Sequence, residues 1–349
     1  MHFFILVDMG KYEKAGVSID AGNDAVARIK KHVKSTHGNM VIGDFANFAG
    51  VVSLKKFAKM KEPLLVSTMD GVGTKIKIAS AMGKWDTVGQ DIVNHCSNDI
   101  LPVGASPLFF LDYVAASKIS PEKVEQIVAG MAKACREVGC SLIGGETAEM
   151  PSVYAQGEYD IAGCMVGIVD RKDAIGISKI KPGDEFIALP SNGLHTNGYS
   201  LARKVLLTDA NLGLNDKLPG SSSTLGGELL KVHKSCSKAV LALMEKKEVL
   251  GIAHITGGGI PENLPRILPK GICAEIERPL IKVQPIFRLI QEKGGVSESE
   301  MYRVFNMGVG LVIAVPKGMS SETMAQLRKL GQDSYYLGKA AKGSGVKFK

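Results

Sequence analysis

Short apolar runs alternate with segments of helical period along most of the chain. This alternation predicts a mixed α/β protein with sheets and flanking helices. In the first half, apolar runs predict strands over residues 64–69, 108–117, 141–143 and 159–169. Apolar positions at helical spacing predict helices over 87–101 and 121–138. The second of these has Pro121 just inside its start and Gly139 just past its end, the usual helix punctuation. Residues 170–183 are polar and include the turn-forming "KPGD", so they read as a linker. That places a boundary between residues 1–173 and 174–349. The second half restarts with "EFIALP", followed by predicted helices over 199–207 and 228–246. The strand "GIAHIT", a glycine loop and a short helix come next, then "ICAEI" and two helices. "VGLVIAVP", a helix over 321–330 and "SYYLGKA" complete the pattern. There is no fixed-period repeat and no low-complexity tract.

Four predicted strands end in glycine turns that carry polar groups: "MDGVGTK" (69–75), "IGGETAEM" (143–150), "SNGLHTNGYS" (191–200) and "ITGGGIPEN" (255–263). Glycine lets a ligand approach the backbone, and free N–H groups at a following helix start favour anions. Four such turns together point toward a phosphorylated ligand. The first is not a Walker loop, because Gly71 and Gly73 are too close and the threonine precedes the lysine. It offers Asp70 to a magnesium ion, and Thr74 and Lys75 to phosphate oxygens. The plainer alternative is an Asp-Gly turn with a solvated lysine.

The helix over 87–101 strengthens the ligand reading. Asp91, His95 and Asp99 are spaced i, i+4, i+8, with Asn98 beside them. Ile92, Val93, Cys96 and Ile100 form the opposite face, which is expected to be the buried one. Magnesium shared by Asp70 and Asp99 fits better than zinc, since no cysteine or second histidine completes a closed zinc site. His95 reads as a partner that orients a carboxylate. After Gly144 and Gly145, Glu146 is a candidate third metal ligand or nucleotide contact, and Glu149 suits a helix start. In the third turn, His195 is a candidate acid, base or phosphate donor, and Asn197 a ligand contact or helix cap. In the fourth, the amides of Gly257, Gly258 and Gly259 are candidates to face a ligand. There is no G-x-S-x-G elbow and no cysteine signature, so covalent hydrolysis is disfavoured.

Composition narrows the classes further. The 349 residues carry a net charge of +8, with 45% hydrophobic and 22% charged residues, as in an ordinary water-soluble protein. No basic run exceeds two residues and no aromatic-basic stripe is present, so the charge reads as a solvated lysine-rich surface rather than a nucleic-acid site. The six cysteines form no C-x-x-C pair and read as reduced thiols of a cytoplasmic protein. The apolar run in "MHFFILVDMG" is too short for a signal peptide or a membrane span.

The motifs "DGVGTK", "CSNDI" with "PLFFLDY", "GCSLIGGETAEMP", "LHTNGYSL", "HITGGGIPENLPRILP" and "MYRVFNMGVG" occur in this order. From about Tyr12 onward the chain resembles the phosphoribosylformylglycinamidine cyclo-ligase family, also called aminoimidazole ribonucleotide synthetases. "DGVGTK" is shared with selenophosphate synthetases, whereas "GGETAEMP" and "FNMGVG" point to the cyclo-ligases. The resemblance implies two α/β domains. The amino-terminal sheet would form a barrel-like core with a second subunit, and the carboxy-terminal domain would complete a cleft holding ATP. It implies that ATP activates the formyl oxygen of formylglycinamidine ribonucleotide, after which an amidine nitrogen closes the imidazole ring. Mg²⁺ would lie on Asp70, Asp99 and Glu146, with His195 assisting proton transfer or binding phosphate. Some positions depart from the family pattern: Ala46 and Ala49 stand for glycines in a nucleotide-covering loop, Asn94 and His95 replace a plainer pair, and Met69 and Met307 are unusual. Residues 1–11 have no clear counterpart. The competing readings are a selenophosphate-synthetase-like kinase, which would need a reactive cysteine before Cys96, and a nucleotide-binding regulator without catalysis.

Overall fold

The computed structural model describes residues 11–43, 49–176, 179–246 and 248–349. The expectations for residues 1–10 and for Ala46 lie outside the described residues, while Ala49 is exposed. Two larger sheets organise the chain, beside a short two-stranded one. The first half supplies β1 (Val41–Ile42), β2 (Val51–Val52), β3 (Pro63–Gly71), β4 (Ser106–Ala116), β5 (Ser141–Glu149) and β6 (Tyr159–Asp170). Its helices are α1 (Lys11–Lys14), α2 (Ile19–Lys34), α3 (Ile76–Met82), α4 (Asp86–Asp99) and α5 (Pro121–Val138). The four longer strands pair in the order β3-β6-β4-β5. Only β4 and β5 are parallel.

One face of this sheet is covered by α4 and α5. The two helices meet at their backbones: a Cβ on Gly89 would stand 1.9 Å from the Ile127 carbonyl oxygen, and one on Gly130 2.0 Å from that of Asp86. Among the described residues the other face presents apolar side chains to solvent. Leu65 and Met69 on β3 are 65% and 68% exposed, and Leu111 on β4 also reaches solvent.

The second half supplies β7 (Glu185–Pro190), β8 (Gly251–His254), β9 (Ile272–Ile276), β10 (Val309–Val315), β11 (Tyr335–Lys342) and β12 (Val346–Phe348). They pair in the order β12-β9-β11-β7-β10-β8, antiparallel except for β12 with β9. Every residue of β10 is buried. Around this sheet lie α6 (Tyr199–Arg203), α7 (Leu225–Leu229), α8 (Ser237–Met244), α9 (Gly259–Asn263), α10 (Pro285–Gly294), α11 (Glu298–Val304) and α12 (Ser320–Lys329).

Two expectations are corrected. "IGGETAEM" is not a strand-ending turn: β5 continues through it to Glu149, paired along its length with β4. The helix predicted over 228–246 is two short helices, α7 and α8, separated by an irregular, non-helical segment over 231–236. Side chains from elsewhere take that segment's backbone groups. Lys75 Nζ donates to Lys231 O at 2.7 Å, Asn192 Nδ2 to Val232 O at 2.8 Å and Asn94 Nδ2 to His233 O at 2.8 Å. Asn98 Nδ2 donates to Lys234 O at 2.9 Å, and its Oδ1 accepts from Cys236 N at 2.9 Å. Asp91 Oδ1 accepts from His233 N at 2.7 Å. These bonds replace the helical ladder. The polar stripe of α4 is therefore buried against the second half of the chain, as its apolar face is against the first.

Candidate active site

Strand β3 ends by placing Asp70 beside α4, where His95 and Asp99 occupy successive turns of one face. His95 Nε2 reaches Asp70 Oδ2 at 2.8 Å and Asp99 Oδ2 at 3.4 Å. Its Nδ1 lies 2.6 Å from Thr196 Oγ1. Asp99 is further bound by His254 Nδ1 at 2.8 Å and accepts from Thr68 Oγ1 at 3.3 Å. Asp70 also accepts from Gly71 N at 2.6 Å. Two carboxylates thus converge on one point, and a histidine ring bridges them.

Electrostatics follow from this contact. Burial opposes charge on His95, but the hydrogen bonds and charges of Asp70 and Asp99 push it up to about 9. Burial would raise Asp70, yet the His95 hydrogen bond and charge hold it below the usual carboxylate range. Asp99 is held further below, against burial, by His254 and His95. Burial pushes His195 and His233 well below the ordinary histidine value, and neighbouring positive charges add to it. His254 is lowered by burial, with Asp99 opposing.

The remaining predicted residues divide into three places. Lys75 is enclosed and its Nζ contacts are all within the protein: Asp91 at 2.8–2.9 Å, His195 O at 3.2 Å and Lys231 O at 2.7 Å. Burial lowers its pKa against the pull of Asp91, and raises that of Asp91 against the pull of Lys75. Lys75, Asp91 and Asn98 therefore fasten the two halves together. Gly73 has φ of +62°, and Thr74 Oγ1 lies 3.1 Å from Ser200 Oγ.

Gly144, Gly145 and Glu146 line a separate cavity of about 650 Å³ with Asp112. Burial, with help from the charge of Glu146, pushes the Asp112 carboxyl up to about 7. The register Asp70–Gly163–Asp112–Gly145 runs straight across the sheet. Three strand spacings, roughly 14 Å, thus separate Glu146 from the Asp70–Asp99 pair within one chain.

Asn197, Gly257 and Gly258 line an open cavity of about 760 Å³ with Glu262 and Arg303, themselves paired at 2.7 Å. The Gly259 amide is engaged within the protein: its N–H donates to Thr256 O, and a Cβ there would stand 1.9 Å from Tyr302 O. Asp99 and His254 line a third cavity of about 500 Å³ with Thr256, Asn263 and Arg266.

Sequence reasoning missed His233 and His254, which bring four of the seven histidines into one cluster with His95 and His195. His254 had a signal, a polar residue closing an apolar strand before a glycine turn. His233 had none, because its segment carries a helical pattern. His195 adopts a φ of +61°, an unusual conformation for a side chain of its size, and its carbonyl accepts from Lys75.

Residues 47–169 match the family described as AIR synthase related protein, N-terminal domain, and residues 181–349 match the corresponding C-terminal domain. Phosphoribosylformylglycinamidine cyclo-ligases from Bacillus mycoides (strain KBAB4) and Bacillus cytotoxicus are each 50% identical over 337 residues, 97% of both chains. Among solved structures, thiamine-monophosphate kinase from Stenotrophomonas maltophilia K279a shares the fold with a TM-score of 0.66 at 15% identity, over 93% of this chain and 96% of that one. The hydrogenase maturation protein HypE, solved in complex with ATP, has a TM-score of 0.67 at 16% identity, over 96% of this chain and 93% of that one. Two matched domains and half-identity over nearly the full length place this chain in the AIR synthase related family, among the phosphoribosylformylglycinamidine cyclo-ligases.

Proposed function

We propose that this chain uses ATP to close the imidazole ring of aminoimidazole ribonucleotide from formylglycinamidine ribonucleotide, releasing ADP and phosphate, in de novo purine biosynthesis. The observation that carries this reading is the 50% identity to the cyclo-ligases over 97% of both chains. An amide oxygen is a poor leaving group. Transfer of the γ-phosphoryl group to it makes it a good one, the amidine nitrogen bonds to the former carbonyl carbon, and phosphate departs with that oxygen. Such chemistry needs positioning and charge neutralisation more than covalent catalysis.

Asp70 and Asp99 lie close together on either side of His95 Nε2, and neighbouring carboxylates fit Mg²⁺, which prefers such oxygens and would neutralise phosphate charge when bound. The Asp70 side chain is 44% exposed and so open to a ligand. His95 keeps both carboxylates ionised and aimed. Thr74 presents a hydroxyl for a phosphate oxygen. Lys75 acts as a positioning residue that fixes the loop carrying His195. Glu146, in its own cavity, takes the second role open to it, a nucleotide contact beside Gly144 and Gly145. Asn197, Gly257 and Gly258 offer a place for the substrate phosphate beside Arg303.

Residues 1–173 would carry the nucleotide and metal site, and 174–349 complete the cleft. The exposed Leu65, Met69 and Leu111 support a homodimer built on the open sheet face. Six free cysteines support a cytoplasmic setting. Among the described residues no helix is long and apolar enough to cross a membrane.

A phosphate-release assay with formylglycinamidine ribonucleotide and ATP tests the function. Release that depends on the substrate, with imidazole product, is expected; tight ATP binding without turnover would leave only a regulator. Asp99→Asn is expected to abolish ring closure while circular dichroism shows an intact fold, and undiminished turnover would reject the metal assignment.

A further inference from the structure

The chemistry above gives Asp112 no task. This residue lies in the middle of β4, half-buried, and lines the cavity that also holds Gly144, Gly145 and Glu146. Its carboxyl accepts from its own backbone N–H, and among the described residues no side chain donates to it. A carboxyl has room for several donors, so this one keeps hydrogen-bonding capacity for a ligand. Gly145 makes that position possible. A Cβ there would stand 2.2 Å from Asp112 Oδ1, so any side chain would push the carboxyl aside. The rest of the cavity gives the shape of its ligand. Helix α2 forms the opposite wall with Gly22, Val26 and Ala27. A Cβ on Gly22 would meet nothing within 4 Å, and one on Gly144 only Leu111 Cδ2 at 3.6 Å, so both walls face open space. Val26 is an apolar side chain left 47% exposed. A slot with apolar and glycine walls and a carboxyl in its floor suits a flat ring with N–H donors on its rim. The carboxylates of Asp112 and Glu146 disfavour the phosphate end of a nucleotide. That end is served by Asp70, Asp99 and Thr74, with Glu146 roughly 14 Å from the carboxylate pair.

We propose that Asp112 selects the base of the nucleotide: its carboxyl accepts a hydrogen bond from the exocyclic amino group of adenine, with the ring seated between α2 and the backbone of Gly144 and Gly145. This inference rests on the reading of that cavity as a nucleotide contact and adds which end of the nucleotide enters it and which residue reads it. The ring's faces lie against Val26 and the glycine backbone, where no side chain stands in the way. Its amino edge meets a carboxyl that the protein leaves without a side-chain donor. A buried acceptor of this kind rejects a ring that lacks the amino group, because the carboxyl is then covered and unpaired.

The probes are ATP and purine riboside 5′-triphosphate, which lacks the 6-amino group. Calorimetry with Mg²⁺ compares their binding to the full chain and to the variants Asp112→Leu, Asp112→Asn and Ala27→Trp. The wild type is expected to bind ATP at least roughly tenfold more tightly than the analogue. Asp112→Leu should bring that ratio close to one, and Asp112→Asn should keep most of it, since the amide oxygen still accepts. In turnover, Asp112→Leu should raise the KM for ATP and leave kcat at saturating ATP little changed. Equal affinity of the wild type for the two nucleotides overturns the proposal however the variants fold, and so does an undiminished ratio in Asp112→Leu. Ala27→Trp fills the slot from the exposed side of α2 and separates the two readings. It is expected to weaken both nucleotides. Unchanged affinity in Ala27→Trp would remove the nucleotide reading of the cavity itself, whereas weakened binding with an undiminished ratio in Asp112→Leu would overturn only the role of Asp112.

Discussion

Replacing His95 by glutamine removes the imidazolium that bridges Asp70 and Asp99, and the loss should depend on pH in a defined way. In the folded chain His95 titrates at about 9, against an ordinary value of 6.5. Each unit of such a shift is worth about 1.4 kcal/mol, so the protonated ring contributes about 3 kcal/mol to folding. Because the folded state holds this proton more tightly, the contribution is complete below about pH 6.5 and is lost as pH rises through about 9. Asp70 and Asp99 run the other way. Their depressed carboxyls stabilise the fold above the ordinary carboxylate range, and that share is lost as pH falls. Wild type and His95→Gln would be compared by urea denaturation at pH 6 and pH 10, with chelator present so that no divalent ion competes. The stability gap between them is expected to be about 3 kcal/mol wider at pH 6. A gap of the same size at both pH values would refute the assignment of a charged His95 held between two ionised carboxylates.

Two further predictions concern the contacts that hold α4 in place. Lys75→Met and Asp91→Leu should each destabilise the fold by about 3–5 kcal/mol, since each strands a buried charge, whereas the double variant should recover most of that loss. Urea denaturation of all four forms measures the coupling, and simple additivity of the two single losses would contradict it. Gly89→Ala forces a methyl group against the Ile127 carbonyl at 1.9 Å, so the α4–α5 crossing must open. A cost of about 3 kcal/mol is expected in a thermal melt, and an unchanged melting temperature would show that the crossing tolerates a side chain.

Much of the α/β layout was legible because apolar runs and turn residues act locally. α5, with Pro121 and Gly139 at its ends, lies where its pattern puts it. β10 was evident as a continuous apolar run. The convergence of Asp70, His95 and Asp99 was partly visible, since the i, i+4 spacing fixes His95 and Asp99 on one face whatever the rest of the fold does. What stayed hidden depended on distant partners. Residues 231–236 carry a helical pattern, yet Asp91, Asn94 and Asn98 capture their backbone groups from across the chain. The glycines of β5 read as a turn, but Gly145 lies against Asp112: a Cβ there would meet its carboxylate at 2.2 Å. Lys75 read as a solvated or phosphate-facing cation because no local signal announces a buried carboxylate sixteen residues later.

The stretch over 231–236 has no ladder of its own and relies on amide and carboxylate groups displayed by α4. During synthesis that helix leaves the ribosome long before its client does. The earlier half thus acts as a mould into which the later half is cast, and a carboxy-terminal fragment made by itself would be left with an uncured seam at this place.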